Sequence, residues 1–217
     1  MRESYSHQLD ELAADLARMC ELAEDAMASA TRALLTADLM LAEDTISSRE
    51  PIDHLAVAWE HKAFALLALQ APVAQDLRSM VSGIHIVADL QRMGGLAIHI
   101  AELARRRHPA HVLPGEVEGV FEEMGRVAVE QAKATSEVLL NRDAGRAAQL
   151  QIGDEAMDEL HRSLFVLTSA PDWPHGVSAA VDITLLGRFY ERYSDHTVEV
   201  AKRVIFLVTG EFRPDDA

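Results

Sequence analysis

The chain has 217 residues, 49% of them hydrophobic, and a formal net charge of −15. It is long enough to bury a core as one large domain or two small ones. The acidic balance argues against a duplex-DNA binder, which needs Lys and Arg against the phosphates, and against broad docking on anionic lipid.

Aromatic residues make up only 5% of the chain, so the core must be aliphatic. Leu and Ala favour helix, whereas strands favour β-branched and aromatic residues, so composition points to an all-α protein. Cys20 is the single cysteine, which excludes an intrachain disulfide and suits a reducing cytosol. It lies in a helical apolar pattern and reads as a buried, inert thiol. Residues 1–7 carry no apolar signal core, and the most apolar stretch, residues 63–69, is far short of a membrane span. A soluble, cytoplasmic chain is the expectation.

Leu9, Leu12, Leu16, Met19, Ala23, Met27, Ala30 and Leu34 recur at steps of three and four, which predicts one amphipathic helix over residues 4–37. Asp38 is placed to cap a second helix that opens with Leu39, Leu41 and Ala42. Pro51 interrupts it. Either the helix kinks there, or Ser47 or Ser48 caps a fresh start with Pro51 in its first turn. Pro72 opens a third helix through Leu77, Met80, Val87, Met93, Ile100 and Leu103, and Arg105, Arg106 and Arg107 form a basic end that offsets the helix dipole. Residues 108–115, with Pro109, Pro114 and Gly115, read as a linker. A fourth helix carries Val117, Phe121, Met124, Ala128, Ala132 and Leu139. Asp143 caps a fifth, through Leu150, Met157, Leu160 and Leu164, which Pro171, Pro174 and Gly176 end. The sixth runs over residues 177–208 with Gly210 as its C-cap, and residues 212–217 are expected to fray.

The pattern is duplicated. Residues 34–38 align with residues 139–143 at a shift of 105 (139 − 34), and Ile52 and Asp53 align with Met157 and Asp158 at the same shift. In the last helix of each half the shift is 100 (192 − 92), so that Arg92 meets Arg192 and Ala101 meets Ala201. A repeat that loses register only at a turn is a duplication. The expected fold is all-α: two tandem three-helix bundles, residues 1–108 and 115–211, whose six long antiparallel helices are related by an internal pseudo-twofold repeat.

Candidate chemistry sits in carboxylate pairs. Glu191 and Asp195 stand at i and i+4 on the last helix, and Asp154 and Asp158 do the same on the fifth. If the two faces converge, four carboxylates could hold a hard or borderline cation such as Mg, Mn, Fe or Zn. If they stay solvated, they are ordinary charged helix faces. The first half lacks this set: Gln91 and Gly95 take the places of Glu191 and Asp195, Arg49 takes that of Asp154, and only Asp53 is kept. The sequence shows no nucleophile–base set, no zinc-spaced Cys/His cluster and no Gly-rich cradle for phosphate, so neither an enzyme nor direct phosphate sensing is expected. A metal-dependent helical enzyme, or a metal-binding protein, built on the second-half carboxylates is the alternative. Asp76 and Arg78, at a helix start, either meet a partner or only complement the dipole.

Residues 71–78, Ala-Pro-Val-Ala-Gln-Asp-Leu-Arg, resemble the Pro-x-Ala-x-Asp-Leu-Arg pattern that opens the third helix of the PhoU family of phosphate-uptake regulators. Residues 190–196, Tyr-Glu-Arg-Tyr-Ser-Asp-His, resemble that family's Leu-Glu-Arg-Ile-Gly-Asp-His signature, and residues 90–96 resemble it with both acids gone. Residues 204–211 are similar to its closing segment, and the likeness, to an actinobacterial-type member, covers about residues 4–211. The resemblance implies a cytoplasmic regulator, not a catalyst. It would contact the ATPase of a phosphate ABC transporter and the sensor histidine kinase of a phosphate-responsive two-component system, at the inner membrane face through those partners. With phosphate plentiful it would restrain uptake and repress starvation signalling. No nucleic-acid partner is implied, and a homodimer is one assembly that the resemblance allows. Some members bind metal clusters through their acidic motifs. Carried over, that points to a divalent or iron/zinc-type metal at the second repeat only, on Glu191, Asp195, Asp154 and Asp158.

Overall fold

The computed structural model describes residues 2–152 and 155–211. The predicted fraying tail, residues 212–217, lies outside the described residues. Those described form eight helical segments: α1 (Arg2–Thr36), α2 (Leu39–Ser47), α3 (Arg49–Gln70), α4 (Ala74–Arg107), α5 (Gly115–Asn141), α6 (Ala144–Ile152), α7 (Glu155–Thr168) and α8 (Gly176–Thr209). The six predicted helices are all present, the second and fifth each in two segments. The 35 residues of α1 make a rod about 50 Å long at the helical rise.

Local chemistry sets the breaks. α1 ends at Ala37, which turns left-handed (φ 51°), and the Asp38 carboxylate then accepts a hydrogen bond from Leu41 N–H at 3.0 Å. The same turn is built again in the second half: Arg142 is left-handed (φ 51°) and Asp143 accepts from Arg146 N–H at 3.0 Å. Each aspartate satisfies one of the orphan donors of a helix start. The two readings of Pro51 resolve in favour of a fresh start. Ser48 separates α2 from α3, and Pro51 sits in the first turn of α3, where a missing N–H breaks no helical bond. Ser48 does not cap with its side chain; its hydroxyl donates back to Thr45 O at 2.6 Å. The helix expected to open at Pro72 begins at Ala74, after an extended Val73. Gly210 is left-handed (φ 77°) and closes α8, its N–H donating to Phe206 O at 2.8 Å.

The two halves do not keep separate cores. The longest packing seams join helices related by the repeat, α1 with α5 and α4 with α8, and α1 also lies along α4. α2 and α3 cover one side of this centre, and α6 and α7 cover the other. One hydrophobic cluster runs from Leu12 to Ile205 across both halves; it is mostly aliphatic, but its largest buried side chains are Trp59, Phe121, Tyr190 and Tyr193. Polar bridges stitch it. Thr31 on α1 and Tyr190 on α8 share a hydrogen bond of 2.8 Å, Ser136 donates to Ala17 O at 3.4 Å, and the Cys20 thiol donates to Ala132 O at 3.3 Å. Cys20 is fully buried, as expected, and burial pushes its thiol far above the ordinary range.

The α4–α8 seam is antiparallel. Arg107, at the end of α4, donates to Ser178 at 2.7 Å and pairs with Asp182 at 2.5 Å near the start of α8. The linker is packed rather than loose, since Val112 and Leu113 are buried.

Candidate functional site

Two regions on the α4–α8 side carry chemistry. The first is the acidic cluster of the second repeat. One helical turn separates Glu191 from Asp195 on α8, and α7 brings Asp158 and His161 against the same stretch. The approach is close because residue 187 is glycine: a Cβ there would lie 3.1 Å from the His161 ring and from Leu164. Arg188, one turn before Glu191, forms an ion pair with Glu191 Oε1. The other oxygen, Oε2, is buried and has no hydrogen-bond partner among the described residues. Burial raises the Glu191 carboxyl above its ordinary value, Asp195 and Asp158 raise it further, and Arg188 opposes them. His161 is lowered, first by burial and then by Arg188. The structure therefore gathers Glu191, Asp195 and Asp158. Asp154 lies outside the described residues.

The donor chemistry suits a hard or borderline cation, and an orphaned carboxylate oxygen is the atom such an ion would satisfy. The geometry is not a closed shell. Among the described residues no three His, Cys, Asp or Glu side chains are arranged to hold a metal ion, and a guanidinium already neutralises one oxygen.

The first repeat shows what replaced its acids. Arg49 Nε lies 3.2 Å from Asp53 Oδ2, and Gln91 donates to Asp53 Oδ1 at 3.0 Å. A Cβ at Gly95 would sit 3.4 Å from Arg49 Nη1. These are the positions equivalent to Asp154, Asp158, Glu191 and Asp195. Here a guanidinium of the chain itself is the cation, and an amide replaces the second carboxylate.

The second region is a groove of ≈ 660 Å³ over the α4–α8 seam. Arg49, Arg92, Arg188 and Arg192 line it, with His99 and His196. His196 Nδ1 is held by Asp89 at 3.0 Å and His99 Nδ1 by Glu102 at 3.1 Å. The rings of His99 and Phe189 meet with centroids 5.4 Å apart. Sequence reasoning matched Arg92 to Arg192 but not to Arg49 or Arg188. The repeat register was the signal, and only the antiparallel seam turns it into one surface.

Asp76 and Arg78, the candidate partner-binding pair, lie in and just after the first turn of α4. Arg78 has a structural setting: its guanidinium carbon is 3.3 Å from where a Cβ at Gly210 would stand. A cation beyond the end of α8 offsets the negative end of that helix. Val73, Leu77 and Val81 are exposed on the same stretch.

The chain is a duplicated three-helix unit whose halves share one hydrophobic core, acidic overall, with a carboxylate cluster kept in one copy. The PhoU domain model matches it twice, over residues 16–104 and 121–204. The chain belongs to the PhoU family. It is 59% identical to the phosphate-specific transport system accessory protein PhoU homolog 1 of Mycobacterium leprae, over 100% of this chain and 97% of that one. It is 58% identical to PhoU homolog 2 of Mycobacterium tuberculosis, over 98% of this chain and 100% of that one. The fold matches the crystal structure of PhoU from Pseudomonas aeruginosa with a TM-score of 0.85 at 25% identity, over 95% of this chain and 100% of that one. It matches the phosphate transport system regulatory protein PhoU from Streptococcus pneumoniae with a TM-score of 0.86 at 22% identity, over 96% and 99% of the two chains.

Proposed function

We propose that this chain is a phosphate-transport accessory protein acting in the cytoplasm as a binding regulator. It contacts the ATPase of a phosphate ABC transporter and a sensor histidine kinase, restrains uptake, and represses starvation signalling when phosphate is plentiful. The observation that carries this reading is the end-to-end likeness, at 59% and 58% identity, to mycobacterial proteins named as accessory to phosphate-specific transport. No helix among the described residues is long and apolar enough to cross a membrane, which suits a protein that reaches the transporter from the aqueous side. The start of α4, where Asp76 stands beside exposed Val73 and Leu77, is the surface the reading assigns to a partner. Pull-down of the purified chain with the two partners, with and without divalent metal, tests it. Capture of at least one partner is expected, and capture of neither under any condition would overturn it.

A second reading, that the second repeat takes up a divalent or iron/zinc-type metal, is favoured by the buried, unpartnered Oε2 of Glu191. Glu191, Asp195 and Asp158 would hold the ion, with Asp154 as a further ligand. Elemental analysis of the protein should show bound metal that Glu191→Gln with Asp195→Asn removes. Equal metal in both proteins, or none in either, would sink it.

A further inference from the structure

The α4–α8 groove concentrates positive charge on a chain whose net charge is −15. No carboxylate is among the described side chains that line it. Two of its arginines are compensated from behind, Arg49 by Asp53 and Arg188 by Glu191. The other two are not: Arg92 and Arg192 are exposed, and neither makes a hydrogen bond or ion pair with a described residue. They occupy equivalent positions in the repeat, and the antiparallel seam brings both to one groove. Like charges gathered on one wall repel, and an anion placed between them relieves that repulsion.

The chemistry of the lining narrows the anion. A guanidinium presents a planar fork that matches phosphate oxygens two at a time. A volume of ≈ 660 Å³ is that of a small-molecule site, well beyond the needs of a single inorganic anion. Phe189 and Leu96 add an apolar face, and the Phe189 ring, beside His99, offers a platform on which a flat ring can stack. We propose that this groove binds an organic phosphate of nucleotide size, with its phosphates on Arg92 and Arg192 and its ring against Phe189. This goes beyond the regulatory reading and stands without it, because it rests on the groove alone. The sequence, which has no glycine-rich cradle, led to no expectation of direct phosphate sensing; here the donors are side chains from α4 and α8.

Calorimetric titration at about 150 mM salt, where weak surface attraction is screened, tests the proposal. The probes are ADP, ATP, adenosine, tripolyphosphate, orthophosphate and an oligoglutamate peptide. ADP or ATP should bind saturably at one site per chain. Adenosine and orthophosphate should bind at least about tenfold more weakly, a difference that calorimetry resolves. The double variant Arg92→Gln with Arg192→Gln should lose about tenfold or more in nucleotide affinity, as expected when charged hydrogen bonds to phosphate are removed, while melting no lower than the parent. Phe189→Leu should weaken ADP but not tripolyphosphate. The proposal fails if no nucleotide binds saturably, if the double variant binds ADP as the parent does, or if adenosine or orthophosphate equals ADP. Tighter binding of oligoglutamate than of ADP would also overturn it, by assigning the groove to an acidic protein segment.

Discussion

Glu191 shows how much one side chain can carry. One of its oxygens is paired with Arg188 and the other is buried with no partner among the described residues. Its carboxyl is raised above the ordinary value of 4.5, so ionised Glu191 is less favourable folded than unfolded. The stability associated with the raised group is fully present below the unfolded value and is lost as the pH rises through the folded one. In chelator, Glu191→Gln should therefore melt higher than the parent at pH 7.5, with the difference narrowing as the pH falls toward 4.5. Thermal melts across that range would show it, and a variant that melts lower at pH 7.5 would mean that the Arg188 pair outweighs the buried charge. The acidic pairing itself was legible in the sequence, because i, i+4 spacing fixes a common face. The orphaned oxygen was not, because it depends on α7 closing over α8 at Gly187. The fate of the first repeat was half legible. Gln91 and Gly95 announced the loss of the acids, but only the structure shows Arg49 filling the space.

At the level of the elements, the short-range signals held and the long-range ones did not exist to be read. Asp38 and Asp143 cap their helices because a capping aspartate acts within three residues of itself. The break beside Pro51 could be read two ways, because proline is tolerated in a first turn and also at a kink. Helix pairing is set by close contacts that no local window contains. Trp59 on α3 is buried, donates from its indole N–H to Leu12 O at 3.0 Å, and lies against Gly83 of α4. A Cβ at Gly83 would stand 2.4 Å from the indole ring. Gly83→Ala should therefore destabilise the protein by about 1–3 kcal/mol, the usual range for overpacking a core. A urea titration followed by Trp59 fluorescence, in a Trp173→Phe background, reads both the midpoint and the ring's displacement. An unchanged midpoint would show that α3 and α4 part freely.

The whole molecule is a duplication that has become asymmetric in its sites while staying symmetric in its frame. The repeat was legible because register is a property of sequence. Which helices form the seam between the two bundles was not: α1 packs on α5 and α4 on α8, so each half completes the other. That seam builds the arginine groove on one stretch, ties one pair of helix ends together through Arg107–Asp182, and sets Arg78 beside Gly210 at the other. On the function proposed above, this helical slab acts by offering surfaces, and its loss should release what it restrains. The most direct measurement is a phosphate-starvation reporter in cells grown with abundant phosphate, with the gene deleted and then restored. The reporter should rise severalfold on deletion and return to baseline on re-expression of the parent chain. A reporter that stays silent in the deletion strain would contradict the proposed function.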